Sequence, residues 1–227
     1  SHLMVNLLGA TPEADKQDFK TFVTDPGFLP DEIKLYPCAL VAGTQLVQKY
    51  REGAWQPYAK DELVDVLVQD VLTTPPYVRI SRMIRDISAT DILVGNKHTN
   101  LRQMVEQELA TVDVASHVQE IRFREINQQQ VRAAELTLQD FVYTTAVSDE
   151  HFLQWVTADN KIAGFCRLSL PHWDKLTSGI CDVAANELLV EPGQAMIREL
   201  HVYGQALSLG SEGMSAQHQG LGQKLLA

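Results

Sequence analysis

An apolar run, a helix with a defined start, and a second apolar run occupy the first 41 residues. Residues 3–8 form the first run and are typical of a buried strand. Thr11, Pro12 and Glu13 then supply a hydroxyl N-cap, a proline at the first helical position and an acid in the first turn. Residues 33–41 predict a second strand. A strand, a helix and a strand at this spacing predict a βαβ unit and therefore a parallel sheet.

Helical and extended patterns continue as far as residue 126. Apolar residues at helical spacing predict one helix over 61–72 and another that begins at residue 100. Residues 77–87 and 121–126 alternate apolar and basic side chains, and we expect each stretch to form a strand with one polar face.

The pattern changes near residues 126–130. Beyond this point, short strand-like stretches are separated by polar turns, which is typical of an antiparallel meander. These stretches are 138–145, 153–157, 162–170 and 195–203. We therefore expect two domains, 1–126 and 127–227.

Charge, hydropathy and cysteine usage exclude several classes of protein. The net charge of −10 argues against a broad nucleic-acid-binding surface, so any such surface must be a local patch. No apolar run approaches the length of a membrane span, and we expect no membrane partner. The three cysteines are far apart, which favours a reducing cytoplasm and gives no usual spacing for an iron–sulfur cluster.

Residues 217–222 (QHQGLG) precede a short apolar stretch and carry the strongest chemical signal. A glutamine followed by two glycines at this spacing resembles the pyrophosphate loop of the GNAT acetyltransferases. Backbone N–H groups at a helix start are unpaired and attract an anion. Gly220 and Gly222 let a phosphate approach the backbone without a Cβ in the way. Taken alone, the hexamer also fits a glycine-rich helix cap.

A strand-like segment at 197–204 lies upstream of this loop. A GNAT site needs such a strand, whose free backbone groups bond the pantetheine of acetyl-CoA and polarise the thioester carbonyl. The two segments in this order predict acetyl-CoA binding. The candidate residues are Glu199, Leu200, His201, Val202, Gln217, Gln219, Gly220, Leu221 and Gly222.

Segments 198–204 (RELHVYG) and 217–222 together resemble the family of the Elongator catalytic subunit three. Further matches follow the same order along the chain, at 6–13 (NLLGATPE), 34–37 (KLYP), 82–87 (RMIRDI) and 122–126 (RFREI). The likeness covers essentially the whole chain apart from 128–193. It implies an α/β fold: the C-terminal part of a radical-SAM partial TIM-type barrel with a linker, followed by an incomplete GNAT acetyltransferase mixed sheet.

The resemblance also implies an activity, the modification of the wobble uridine of tRNA. Family members use an iron–sulfur cluster and S-adenosylmethionine to make a radical that activates the methyl of acetyl-CoA, which leaves a carboxymethyl group on C5. The cluster cysteines and a tyrosine near the CoA sulfur are not in this chain. We therefore expect the full-length protein to carry S-adenosylmethionine and the cluster, and this chain alone not to complete the reaction. The resemblance also allows for accessory subunits.

Arginines cluster in two places within this acidic chain. Three lie within seven residues, and Arg122 and Arg124 are expected on one face of a strand. Such residues suit phosphate contacts, but the sequence alone favours ion pairs with Asp86, Asp91, Glu120 and Glu125. The resemblance favours binding of the anticodon region of tRNA. The candidate residues are Lys34, Arg79, Arg82, Arg85, Arg122 and Arg124.

Other polar side chains give weaker signals. We expect no metal site, because the potential ligands lack a compact spacing; they are His98, His117, Cys166, His172 and Cys181, with His98 the least implausible. Glu199 and His201 share a face, and acting as a general base and framing the CoA cleft both remain open, so catalytic residues stay unassigned. Cys38 is expected in the core rather than as a nucleophile.

Two rival functions fit the same residues. One is a non-catalytic module that binds tRNA or a partner subunit and keeps a regulatory or vestigial CoA pocket. The other is a protein or small-molecule N-acetyltransferase whose barrel serves as a scaffold.

Overall fold

The computed structural model describes residues 1–84, 87–111, 117–127, 129–177, 191–204 and 220–226. The chain divides into two compact units, residues 1–123 and residues 124–227. The candidate residues Arg85, Gln217 and Gln219 lie outside the described residues.

The first unit contains a parallel sheet and helices. In chain order its elements are β1 (His2–Val5), α1 (Pro12–Thr24), β2 (Glu32–Pro37), β3 (Leu40–Val41), α2 (Leu46–Arg51), α3 (Lys60–Thr73), β4 (Arg79–Arg82), β5 (Ile92–Val94) and α4 (Leu101–Thr111). Strands β1, β2 and β4 form the parallel sheet in that order, and β3 pairs antiparallel with β5. The predicted βαβ unit is therefore confirmed.

Local sequence explains the start of α1. The Thr11 hydroxyl accepts a hydrogen bond from the Ala14 N–H at 3.2 Å, and Pro12 opens the helix, as predicted. The helix buries Phe19 and Val23 and packs against α3. Burying such apolar side chains stabilises the unit by about 2 kcal/mol each.

The prediction of one strand over 33–41 is wrong, because two strands of different sheets occupy it. The Cys38 N–H donates to the Val5 carbonyl at 2.8 Å, so pairing with β1 continues one residue past Pro37. The chain then leaves this sheet, and β3 pairs with β5 instead.

The strand predicted over 121–126 is also wrong. Ile121–Arg124 form a helical turn, α5, and the buried Glu120 carboxylate accepts a hydrogen bond from the Phe123 N–H at 2.7 Å. A side-chain acceptor just before a helical turn stabilises its first N–H groups. In the other alternating stretch, 77–87, the described residues form a strand over Arg79–Arg82.

The second unit is built on the predicted antiparallel meander, which is confirmed. Strands β6 (Thr137–Thr144), β7 (Ser148–Val156), β8 (Ile162–Pro171) and β9 (Met196–Val202) pair in chain order. A 3-10 turn (Ala133–Glu135) precedes the sheet, α6 (Trp173–Thr177) follows β8, and α7 (Leu221–Leu226) follows β9. Leu221 packs into a buried apolar cluster with Ile126, Val131, Leu136 and Ala163.

Candidate functional site

Strand β9 lies at the edge of the described sheet and carries a bulge. Arg167 pairs with Glu199, but the next residue of β8, Leu168, pairs with Ile197. Arg198 is therefore one extra residue on β9, and such a bulge bends a strand and redirects its side chains. Within the described residues β9 pairs only with β8.

A buried carboxylate holds the extra residue in place. The Arg198 guanidinium donates to Glu150 Oε2 from Nη2 at 2.6 Å and from Nε at 2.9 Å. The other carboxylate oxygen, Oε1, accepts from the Ser148 and Ser169 hydroxyls, each at 2.6 Å. Glu150 is only 4% exposed, so its carboxylate makes these charge-assisted hydrogen bonds in a largely buried position, whereas the Arg198 side chain is 23% exposed. Sequence reasoning missed this network, which joins three strands.

Glu199 and His201 already have partners on the sheet. Glu199 accepts a hydrogen bond from Arg167 Nε at 2.8 Å, and the Arg167 guanidinium lies 5.3 Å from the Phe165 ring centroid. His201 stacks on Phe165 with ring centroids 5.8 Å apart, and its ring meets Tyr203 at 4.4 Å. These contacts favour framing of a cleft over a free general base.

The start of helix α7 lies against β9. Gly220 has φ +68°, a conformation that strains other residues, and its carbonyl accepts from the Lys224 N–H as the helix begins. At Gly222 a Cβ would lie 3.7 Å from Val202 Cγ2 and 3.9 Å from Leu200 Cδ2. The first turn of α7 therefore lies beside the C-terminal half of β9.

The described basic candidates of the first unit lie on β2, β4 and α5. In the first unit Lys34 pairs in register with Arg82, Arg79 forms an ion pair with Glu32 at 3.8 Å, and Arg122 Nη1 donates to the Ser81 carbonyl.

Arg124 belongs to the second unit, and the expectation that it shares a face with Arg122 is wrong. It is 2% exposed and donates to Gln154 at 3.0 Å and to Asn160 at 3.1 Å. A helical turn, unlike a strand, points residues i and i+2 to different sides.

Glu120 has a role that the sequence did not reveal. Its carboxylate accepts from the Ile80 N–H at 2.7 Å and from Arg102 Nη2 at 2.9 Å, in addition to the Phe123 N–H. The sequence suggested ion pairs with the clustered arginines, but the buried partner is Arg102 on α4. Glu120 thus joins β4, α4 and α5 in one hydrogen-bonded node.

Other signals from the sequence resolve as follows for the described part of the chain. No group of three or more His, Cys, Asp or Glu side chains there is arranged to hold a metal ion. No described helix combines the length and the hydropathy needed to cross a membrane. Cys166 is buried, which raises the pKa of its thiol, and Cys38 is half-buried.

Comparison with known proteins agrees with this architecture. A family model described as the Radical_SAM C-terminal domain matches residues 30–111. A tRNA uridine(34) acetyltransferase of Dehalococcoides mccartyi is 38% identical over 100% of this chain and 48% of its own length. Human Elongator complex protein 3 is 29% identical over 100% of this chain and 40% of its own length. The chain belongs to the Elongator complex protein 3 family.

A solved structure extends the likeness to three dimensions. The archaeal Methanocaldococcus infernus Elp3 with an N-terminal deletion (1-46) superposes with a TM-score of 0.83 and 29% identity, over 99% of this chain and 52% of that one. The mixed α/β fold expected from the sequence is therefore confirmed. The chain therefore spans about half of the length of the Dehalococcoides mccartyi relative and of the solved archaeal structure, and 40% of the human relative.

Proposed function

We propose that this chain binds acetyl-CoA between β9 and the start of α7, within an enzyme that modifies the wobble uridine of tRNA. The observation that carries the proposal is the helix start at Gly220–Gly222 lying against Leu200 and Val202 on an edge strand. The names of the relatives, tRNA uridine(34) acetyltransferase and Elongator complex protein 3, support the tRNA substrate.

Each part of this site has a distinct task in the proposal. The α7 N–H groups and helix dipole stabilise the pyrophosphate, and the positive φ of Gly220 avoids strain at the turn. The side of β9 away from β8 offers hydrogen bonds to the pantetheine amides, and an N–H near Leu200 polarises the thioester carbonyl. Acetyl-CoA itself supplies the acetyl group that becomes the C5 carboxymethyl substituent.

The remaining assignments are part of the same proposal. Residues 1–126 would belong to a radical-SAM barrel with its linker, and residues 127–227 to a GNAT domain. The described cysteines, Cys38 and Cys166, do not fit a cluster, since one is half-buried in the first unit and the other buried in the second. We therefore assign no step of the S-adenosylmethionine chemistry to this chain. Widely spaced cysteines support a cytoplasmic location.

The acetyl-CoA arm is tested by calorimetric titration of the chain and of two glycine variants. Gly220→Ala places a Cβ beside the phosphate position, and we expect acetyl-CoA affinity to fall at least about tenfold. Gly193→Ala is the matched control, because Gly193 also has positive φ (+84°), lies in the same unit and has open space around it. Equal affinity for both variants would overturn the proposal.

The tRNA arm is tested with an anticodon stem-loop that contains the wobble uridine. We expect Arg82→Glu to weaken binding severalfold, because it reverses a charge on the strand face shared with Lys34. Arg51→Glu, on the exposed surface of α2, is the control for net charge. In the full-length protein, acetyl-CoA hydrolysis should require tRNA. Hydrolysis without tRNA would favour a small-molecule or protein acetyltransferase, and absence of hydrolysis a binding module.

A further inference from the structure

A cavity of about 220 Å³ in the first unit has a lining that favours anions. Lys60 lines it from the start of α3, and Lys97 and His98 line it from the loop between β5 and α4. The described residues around it include no aspartate or glutamate. In a chain with net charge −10, a cavity with three basic side chains and no carboxylate is a marked local reversal of charge.

The three basic groups are not already used by the fold. Among the residues that the structure describes, no carboxylate or hydrogen-bond acceptor contacts the side-chain nitrogens of Lys60, Lys97 or His98. Lys49 differs, since it pairs with Glu52 at 3.1 Å. All three side chains are exposed and therefore accessible to a ligand.

The acids that flank Lys60 in sequence line other cavities. Asp61 lines a neighbouring cavity, together with Lys60 and Met104. Glu62 lines another cavity, together with Trp55, and its Oε2 accepts a hydrogen bond from the Ala59 N–H at 2.9 Å. Neither carboxylate therefore lines the cavity that holds Lys97 and His98.

The loop that presents Lys97 and His98 is held in shape. Gly95 has φ +117°, and a Cβ there would lie 3.3 Å from Ala39 Cα, so the close packing of the loop requires glycine. The Asn96 side chain accepts from the His98 N–H at 3.2 Å and donates to the His98 carbonyl at 3.3 Å. The basic side chains therefore project from an ordered turn.

Two helix starts add to the positive potential. Lys60 is the first residue of the 14-residue helix α3, and Leu101 is the first of the 11-residue helix α4; both line the cavity. The dipoles of both helices direct partial positive charge to the place where the basic side chains converge.

We propose that this cavity binds a phosphate group, either of an RNA backbone or of a free nucleotide. Two ammonium groups and an imidazole N–H match the several oxygen acceptors of a phosphate, and the cavity volume admits the group with part of its sugar. The RNA source rests on the proposed tRNA function, whereas the free nucleotide does not.

The first test measures binding of the anticodon stem-loop by fluorescence anisotropy at several salt concentrations. We expect the double variant Lys60→Ala/Lys97→Ala to lose about tenfold in affinity and to reduce the salt slope by about one to two. Lys20→Ala/Arg51→Ala is the matched control, because it removes the same charge from exposed positions on α1 and α2. Equal binding of the two double variants to RNA would exclude the RNA backbone as the source of the phosphate.

The second test separates the sources and the proposals. Inorganic phosphate and AMP are titrated against the chain while the ring protons of His98 are followed by NMR. We expect the His98 signals to shift saturably, and the lysine double variant to abolish the shift. This result supports a free nucleotide as the ligand of the cavity, even if no RNA binds and the tRNA proposal fails. A different outcome would overturn the cavity proposal and leave the tRNA proposal standing. In that case Arg82→Glu weakens RNA binding, the lysine double variant does not, and neither phosphate nor AMP shifts the His98 signals.

Discussion

Asp70 on helix α3 makes the stability of the first unit depend on pH. Its side chain is 1% exposed, and neither carboxylate oxygen has a hydrogen-bond partner among the described residues. Burial, reinforced by the charge of Asp15 and opposed by Lys16, raises the pKa of Asp70 to about 8. The folded chain therefore keeps this carboxyl protonated near neutral pH.

The sign of the effect follows from proton uptake. An unfolded aspartate ionises near pH 3.8, so between this pH and about 8 the folded state binds more protons than the unfolded state. The contribution of Asp70 to the free energy of unfolding is fully present below pH 3.8. It is lost as the pH rises from there towards the folded-state pKa of about 8. At pH 7 the loss relative to acid pH is about 4 kcal/mol, from roughly three pH units at about 1.4 kcal/mol each.

The substitution Asp70→Asn removes this titration and keeps the shape of the side chain. We expect the variant to gain stability over the parent chain by about 1 kcal/mol per pH unit from pH 5 to 8. Hydrogen exchange of α1 and α3 amides measures the local free energy of opening at each pH. Asp18→Asn, at an exposed position of α1, should give a constant difference. A constant difference for Asp70→Asn as well would refute the reasoning.

Two further substitutions test the packing around the candidate sites. Glu150→Gln leaves the Arg198 guanidinium without its buried countercharge; we expect urea unfolding of the second unit to show a loss of about 2 kcal/mol, with weaker acetyl-CoA binding. The exposed ion-pair residue Glu135 provides the control, since Glu135→Gln should leave the urea unfolding curve nearly unchanged. Gly95→Ala should strain the backbone by about 1 to 3 kcal/mol, which lowers the melting temperature and weakens phosphate binding. The control is Gly53→Ala, because Gly53 also has positive φ but has open space around it, and this variant should leave phosphate binding unchanged. Comparable losses for each variant and its control would contradict both expectations.

Local signals in the sequence were sufficient for much of the fold. Helix α1 follows from the Thr11 cap and Pro12, and the meander follows from alternating strands with polar turns between them. The error at 121–126 has a physical cause. Four residues of alternating apolar and basic side chains fit a strand or a single helical turn, and the choice depends on Glu120, which β4 and α4 hold in place.

For the candidate site too, some features were predictable from the sequence and others were not. An edge strand followed by a glycine-rich helix start depends on backbone chemistry and was predictable from residue spacing. The pairing of Glu150 with Arg198, Ser148 and Ser169 was not, because these residues meet only through the register of three strands. Charge clustering along the sequence likewise placed Arg122 and Arg124 together, although one is exposed and the other buried.

The order in which the sheet is assembled follows from the position of β9. Strands β6, β7 and β8 are joined by turns of a few residues, whereas 24 residues, 172–195, separate β8 from β9. Closing this longer connection costs more chain entropy, so we expect β9 to join the sheet after β6, β7 and β8 have paired. A ligand that bridges β9 and α7 would then stabilise the strand whose connection to the sheet is the longest.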